Sequence, residues 1–345
     1  MLNSTTPQRD LRAPVPERPT LRVASSPEHH AAIAGHLTGR DLWLARMLAE
    51  HRTLTSTQIV DLAFPSRRAA NLRLQRLYQW RVVDRFQPYI GKGRAPMFYV
   101  LDITGAHALA HEDGIDPVEL KFRPDRSIGI AYAHRLAHLH GVNSFFTPLI
   151  AHARAHEQLS VTAWWSEARC GRHFGDIVRP DAYGRWREDD REIEWFLEWD
   201  TGRYQLARFT AKLPGYAKLA TTTRIITPLL ACFATARREA HARRLLAEHT
   251  SGLPRPGDLP VATTNAEHLH GDATAAEAIW LPLRHTDAGR IRLINLRRCW
   301  PQVPTPTAAS EATQEPADVP TPPRLTPPAP MPPWTDHDLT WRETG

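Results

Sequence analysis

Apolar residues recur at helical spacing along three consecutive stretches in the first third of the chain. The first stretch is 40–51, and a short second one can begin at Thr55 or Ser56. Ser66 can cap a third stretch, 67–80, because a serine hydroxyl accepts a hydrogen bond from the free N–H groups of a helix start. The pattern therefore predicts three helices in succession.

The pattern then changes to one typical of strands. Residues 82–87 and 97–102 are rich in β-branched and aromatic side chains, and 88–96 between them contains two glycines and two cations. A short helix starting near Thr104 follows. Three helices followed by a basic hairpin are the element order of a winged helix-turn-helix.

The second half of the chain predicts alternating strands and helices. A helix over 131–143 opens it, and the strands 176–186 and 191–202 are expected to be neighbours. The remaining predicted elements are a strand at 162–167, a helix at 203–220, a strand at 224–235, a helix at 236–249 and a strand at 278–283. The fold class predicted is α/β (α+β) with two domains.

Proline sets the limits of these domains. Residues 1–37 hold five prolines and 301–345 hold twelve, out of 30 in the chain. Proline interrupts helices and central strands, so both ends are predicted to be disordered tails. The winged helix-turn-helix is predicted to occupy 38–120, and the second α/β domain 128–300.

The distribution of charge along the chain predicts a binding partner. The net charge is +6, and residues 64–94 alone carry eight Lys and Arg against Asp84. We expect double-stranded DNA to bind this surface, with the third helix at base edges and the hairpin at phosphates or in the minor groove. The residues predicted to contact DNA are Arg67, Arg68, Asn71, Arg73, Lys92 and Arg94. The alternative is a solvated basic face that binds protein.

The sequence does not indicate a membrane span, a signal peptide, a disulfide framework or a zinc site. No stretch approaches the roughly 18 apolar residues of a membrane span, and the first thirty residues lack the apolar core of a signal peptide. Cys170, Cys232 and Cys299 lie far apart without a CxxC spacing, which argues against a disulfide framework or zinc site. The sequence predicts a cytoplasmic protein that does not contact membranes.

Carboxylates gather along the strand 191–202. Its period of two places Glu198 and Asp200 on one face, roughly 6–7 Å apart, and Asp181 on the neighbouring strand can reach the same end. Such carboxylates repel unless a cation lies between them, and Mg²⁺ prefers oxygen ligands. Mg²⁺ is therefore the predicted cofactor, and Lys212 on the next helix can orient an attacking water.

The Pro180–Asp181 and Glu198–Trp199–Asp200 motifs resemble the PD-(D/E)xK pattern of restriction-endonuclease-like enzymes. Asp200 occupies the position at which that pattern has lysine, and the resemblance implies that Lys212 substitutes for it. The catalytic residues that follow from this resemblance are Asp181, Glu198, Asp200 and Lys212.

A wider set of motifs resembles the replication-relaxation family. They are the winged helix, LAHLHGVNSFF with His138 and Asn143, TAWWSE with Trp164 and Glu167, RPDA, FLEWDTG, and the pair Lys212 and Tyr216. Together they cover about residues 40–235. The resemblance implies a role in plasmid replication and DNA relaxation, on a fold similar to relaxases built like restriction endonucleases.

Several residues have two interpretations. Glu167 is either a fourth metal ligand or the partner of Arg169 or Arg172. Tyr216 is a candidate nucleophile or a packing residue of its helix. His134 and His138 have the i, i+4 spacing of metal ligands, although a buried His138 is the alternative.

Three functions follow from these patterns. The leading hypothesis is a plasmid or mobile-element protein whose first domain binds DNA and whose second is a Mg²⁺-dependent nickase. The alternative is a replication accessory protein or transcriptional regulator with a degenerate nuclease fold. In the third, the proline-rich tail recruits plasmid replication or transfer proteins.

Overall fold

The chain folds into two compact units. The computed structural model describes residues 12–14, 22–24, 26–90, 94–271, 273–284, 287, 289–304, 306 and 323–334. The first unit comprises the described residues up to Thr147 together with 323–334, and the second runs from Pro148 onward. The fold is mixed α/β, as predicted. None of the described helices is long and apolar enough to cross a membrane.

The unit boundary lies inside a helix, α8 (Leu136–Arg154). The sequence placed the start of the second domain at 128, and these domain limits remain a prediction. The unit boundary lies later than residue 128 because the first half of α8 contacts earlier elements. Asn143 Nδ2 donates to the Thr53 carbonyl at 2.7 Å, and Gln58 packs against the buried His140.

The first unit consists of short helices around a small sheet. Its strands are β1 (Arg12–Pro14), β2 (Leu54–Thr55), β3 (Val83–Phe86), β4 (Pro88–Tyr89) and β5 (Phe98–Leu101). Its helices before α8 are α1 (Pro27–Ala34), α2 (Gly39–His51), α3 (Ser56–Ala63), α4 (Arg67–Gln79), α5 (Ile103–Glu112), α6 (Pro117–Leu120) and α7 (Pro124–Ile128). β2, β5 and β3 form an antiparallel sheet in that order, so the order of helices and hairpin is the one predicted.

Local capping explains where the predicted helices begin. Thr38 and Asp41 form a reciprocal capping box at the start of α2, and Thr55 and Gln58 form another at α3. The Ser66 hydroxyl accepts from the third backbone N–H of α4. These caps satisfy N–H groups that have no partner within the helix, which fixes each start to one residue.

The second unit is built on a six-stranded mixed sheet. Its strands are β6 (Leu159–Ser166), β7 (Ala182–Glu188), β8 (Arg191–Trp199), β9 (Leu229–Phe233), β10 (Val261–Asn265) and β11 (Leu281–Pro282). They lie in the order β11, β10, β9, β8, β7, β6. β8, β9 and β10 are parallel, and the other neighbours are antiparallel.

Among the described residues, four α-helices belong wholly to this unit. They are α9 (Glu167–Phe174), α10 (Leu206–Thr210), α11 (Leu213–Thr223) and α12 (Ala236–Ser251). Tyr216 and Leu219 of α11 and Leu246 of α12 join a buried cluster with Phe196 and Phe233 of the sheet. Burial of these side chains, worth roughly 1.5–3 kcal/mol each, holds the helices on the sheet.

Two details of the second unit differ from the sequence prediction. β10 was not predicted, and its residues Thr263 and Asn265 are fully buried because their polar groups bond Glu239 of α12. The predicted single helix over 203–220 is divided into α10 and α11 before Pro214, which lies in the first turn of α11. A proline is tolerated there because the first N–H groups of a helix have no partner within it.

Residues 323–334 lie on the first unit. Trp43 Nε1 of α2 donates to the Ala329 carbonyl at 3.0 Å, and the ring of Trp334 meets that of Trp43 edge to face at 5.7 Å. Arg46 donates to the Thr326 carbonyl at 3.0 Å. The composition predicted a disordered tail, and for these residues the structure differs.

Candidate functional site

Two adjacent strands bring Asp181 and Glu198 together. Ala182, the first residue of β7, pairs with Leu197 of β8, so Asp181 lies beside Glu198 at the sheet's end. The Asp181 N–H donates to the Leu197 carbonyl at 3.1 Å, and Asp181 Oδ2 accepts from the Trp199 N–H at 2.9 Å. Backbone pairing therefore fixes both carboxylates, which are buried.

Lys212 completes this arrangement. Its Nζ lies 2.6 Å from Glu198 Oε2, 2.8 Å from Glu198 Oε1 and 3.4 Å from Asp181 Oδ1, and its side chain is 34% exposed. Lys212 precedes α11, and the Tyr216 hydroxyl one turn later donates to Glu198 Oε1. We call Asp181, Glu198 and Lys212 the acid–lysine cluster.

Gly215 permits this approach. A Cβ at Gly215 would lie 2.9 Å from the Ile177 carbonyl oxygen and 3.2 Å from Val178 Cβ. α11 therefore packs directly on the segment that leads into Asp181. The Pro214–Gly215 pair lies in the first turn of α11, and the Lys212 and Tyr216 side chains on either side of it both reach Glu198.

Burial and mutual repulsion control the charges in the cluster. Burial, followed by the charge of Asp181, raises the pKa of Glu198 to about 8, against the opposing effect of Lys212. Burial alone would lower the pKa of Lys212, but Asp181 and Glu198 together raise it. Burial and Glu198 raise the pKa of Tyr216 well above its ordinary value. Lys212 is therefore the permanent positive charge of the cluster.

Asp200 does not join Asp181 and Glu198. It follows the last residue of β8, and its carboxylate accepts hydrogen bonds from Arg238 in the first turn of α12, one of them at 3.1 Å. Its N–H donates to the Cys232 carbonyl at 2.9 Å. Asp200 thus orients the loop after β8, whereas the sequence placed it among the catalytic and metal-binding residues.

A divalent cation does not fit the acid–lysine cluster as it stands. Mg²⁺ needs a near-octahedral shell of oxygens, some from carboxylates and several from water. Lys212 Nζ already contacts both carboxylates, and the Trp199 N–H and the Tyr216 hydroxyl take two of their oxygens. Within the described residues, no three His, Cys, Asp or Glu side chains are grouped closely enough to hold a metal, so Glu167 and Asp200 do not extend the site.

The environments of three other candidate residues bear on the roles considered for them. Tyr216 is 3% exposed and bonded to Glu198, an environment that favours packing over nucleophilic attack. His134 precedes α8 and is exposed, so it does not share a helix face with His138, which is half-buried. Glu167 lies in the first turn of α9, a position that favours an acid because the N-terminus of a helix carries partial positive charge.

The predicted DNA-contacting residues fall into two groups. Arg67, Arg68 and Asn71 are exposed on α4, opposite the buried face of Leu74 and Leu77. In the described part of the chain, neither arginine forms an ion pair. These residues form an exposed polar face.

Arg73 belongs to the second group. Its guanidinium bonds the buried carboxylate of Asp41, at 2.9 Å for one contact, and the His36 carbonyl, and it stacks over Trp80. It ties α4 to α2, so its guanidinium is bonded within the first unit, unlike those of Arg67 and Arg68. Arg94 is exposed after the hairpin turn, and Lys92 lies outside the described residues.

The sequence interpretation missed Arg238. It holds Asp200 and also donates to the Tyr204 carbonyl, 34 residues before it. A basic residue in the first turn of a helix is unfavourable for the helix dipole, and this was the only local signal that Arg238 has a tertiary partner.

Fold and site together define a class: a two-unit α/β protein with a basic helical unit and a six-stranded sheet that carries a buried acid–lysine cluster. Residues 46–234, more than half of the chain, match the family described as Replication-relaxation. The protein belongs to the replication-relaxation family. A search of curated proteins finds no match. Family membership indicates a role in replication or DNA relaxation.

Proposed function

We propose that this protein binds double-stranded DNA through α4 and acts in the replication or relaxation of a plasmid or other mobile element. The observation that carries the proposal is the exposed face of α4. The three arginines on this face, Arg67, Arg68 and Arg76, have no acidic partner among the described residues. Exposed guanidinium groups without partners suit phosphate oxygens and the base edges of guanine.

The surroundings of α4 support the same proposal. α3 precedes it by a short turn, and the hairpin of β3 and β5 follows it, which is the order of a winged helix-turn-helix. Arg73 fixes α4 to α2 through Asp41, so the exposed face is presented on a rigid helix. In this proposal α4 enters the major groove, and the cations of the hairpin turn contact phosphates.

The test measures duplex binding by fluorescence anisotropy. The probes are labelled duplexes that tile the replication origin of the replicon, and a random-sequence duplex of equal length. Arg67→Ala/Arg68→Ala is expected to lower affinity at least about 10-fold and to reduce the salt slope by roughly 0.9 for each lost phosphate contact. Asn71→Ala should reduce only the preference for the specific duplex.

The matched control is Arg123→Ala/Arg126→Ala, which removes the same charge from exposed positions outside α4. This control should bind as the wild type does. If both double variants lose affinity equally, the binding reflects net charge alone. If neither loses affinity, α4 is not the DNA surface.

DNA strand cleavage at the acid–lysine cluster is a second candidate. The convergence of Asp181, Glu198 and Lys212, with the lysine partly open to solvent, favours it. A Mg²⁺-dependent reaction would require Lys212 to leave both carboxylates. The test incubates supercoiled origin plasmid with Mg²⁺, Mn²⁺ or EDTA. Nicking that disappears in Asp181→Asn and Glu198→Gln supports cleavage, whereas intact plasmid throughout leaves a DNA-binding replication accessory protein or regulator.

A further inference from the structure

An exposed tyrosine on the loop after β8 has the guanidinium groups of two arginines next to its ring. Tyr204 is 49% exposed, and the guanidinium carbon of Arg208 lies 4.7 Å from the centre of its ring. The guanidinium of Arg203 lies 5.9 Å from the same ring. Both arginines are exposed, and neither has an ionic partner among the described residues. We call these three residues the Tyr204 platform.

The backbone beneath the platform is fixed. Arg238 donates both to the Asp200 carboxylate and to the Tyr204 carbonyl, so the two ends of the loop share one guanidinium. Gly202 turns the chain between them at φ +77°, a conformation that residues with a Cβ rarely adopt. The loop therefore presents the Tyr204 ring on a rigid support, which lowers the entropy cost of binding a ligand.

The platform adjoins the acid–lysine cluster along the chain. Arg208 lies on α10 one turn before Lys212, and Asp200 lies two residues after Glu198. Lys212 Nζ is the partly exposed member of that cluster. A ligand that stacks on Tyr204 would have the guanidinium groups of Arg203 and Arg208 beside it.

We propose that the Tyr204 platform binds single-stranded DNA beside the acid–lysine cluster. An exposed aromatic ring with adjacent guanidinium groups is the combination that holds unpaired nucleotides, since the ring stacks on a base and the cations contact its phosphates. Bases in a duplex are already stacked on each other, so the ring has no partner there. The inference rests on the proposed function only in taking DNA as the partner.

The experiment uses the full chain and fluorescein-labelled oligo(dT), with anisotropy as the readout. Tyr204→Ala is expected to weaken binding about 5- to 100-fold, whereas Tyr204→Phe should retain it, because stacking needs the ring and not the hydroxyl. Arg203→Ala/Arg208→Ala should reduce the salt slope by about 1.4, which corresponds to two phosphate contacts on a single strand. Tyr132→Ala is the matched control, since Tyr132 is an even more exposed tyrosine, at 71%.

The outcomes separate this inference from the duplex proposal. Tyr204→Ala should leave duplex binding unchanged, and Arg67→Ala/Arg68→Ala should leave oligo(dT) binding unchanged. If Tyr204→Ala binds oligo(dT) as tightly as the wild type, the single-strand inference is wrong, whether or not α4 binds duplex DNA. Binding of oligo(U) in preference to oligo(dT) overturns the assignment to DNA. Thermal unfolding of each variant checks that it is folded.

Discussion

At the scale of single residues, the burial of the Glu198 carboxyl determines how the acid–lysine cluster responds to pH. The carboxyl is shielded from water and faces Asp181, and these two effects raise its pKa to about 8. In the unfolded chain the same group has an ordinary pKa near 4.5. The folded state therefore binds a proton that the unfolded state has released over the range between these values.

This difference predicts how stability changes with pH. Because the folded pKa is the higher one, the contribution of Glu198 is fully present below about pH 4.5 and is lost as pH rises toward about 8. We expect the free energy of unfolding of the wild type to fall, relative to Glu198→Gln, across this window. Urea unfolding at a series of pH values measures it, and two parallel curves would contradict the assignment.

Lys212 is the counter-charge of both carboxylates, so its removal is a second test at this scale. Lys212→Met keeps the aliphatic stem but leaves Asp181 and Glu198 facing each other, and we expect a loss of about 1–3 kcal/mol after allowance for the partial exposure of the lysine. Adding Glu198→Gln should restore most of this loss. Chemical denaturation of both variants gives the coupling free energy between Lys212 and Glu198. If the two substitutions lower stability additively, the Lys212–Glu198 ion pair does not contribute to it.

At the scale of elements, close packing of α11 on the segment before β7 determines where Lys212 and Tyr216 lie. Gly215→Ala would place a Cβ 2.9 Å from the Ile177 carbonyl oxygen, and backbone at that distance cannot move aside cheaply. We expect a loss of about 1–3 kcal/mol, measured by thermal unfolding. The contact between Tyr216 and Glu198 should also loosen, which a change in tyrosine absorbance on alkaline titration would report.

Gly171→Ala is the control for this prediction. Gly171 lies inside α9, and a Cβ there would meet nothing within 4 Å. Alanine has the higher helix propensity, so the control should be neutral or more stable by up to about 1 kcal/mol. If both substitutions have the same effect, the close approach at Gly215 does not matter.

At the scale of the whole molecule, a segment from the far end of the chain contributes to the first unit. Residues 323–334 cover the indole of Trp43 and bond Arg46, and the Thr326 N–H donates to Asp113 at 2.7 Å. Prolines lose little entropy when they are fixed in an extended segment, so this contact is inexpensive to form.

Deletion of 305–345 should therefore lower the stability of the first unit by about 1–3 kcal/mol, since it exposes the apolar surface of Trp43. Deletion of 335–345 alone is the control, because it retains the contacting residues. Tryptophan fluorescence during thermal unfolding measures both. A synthetic peptide of residues 323–334 should restore part of the loss, and equal stability of the two deletions would show that the segment is dispensable.

The sequence by itself determined most of the elements, because their signals are local. Helical spacing and the caps Thr55 and Ser66 specify α3 and α4, and alternation specifies β8. The sequence also grouped Asp181, Glu198 and Lys212 in one candidate site. Each of these inferences depends on residues within a few positions of each other or on a short motif.

Only the tertiary structure decided how the polar groups are paired. Asp200 pairs with Arg238, Arg73 pairs with Asp41, and the Thr263 hydroxyl of the buried strand β10 donates to Glu239. In each case the partner lies more than twenty residues away, and a buried polar group is stable only where the fold supplies that partner. Local pattern identifies the side chains available, and long-range packing selects which of them neutralise each other.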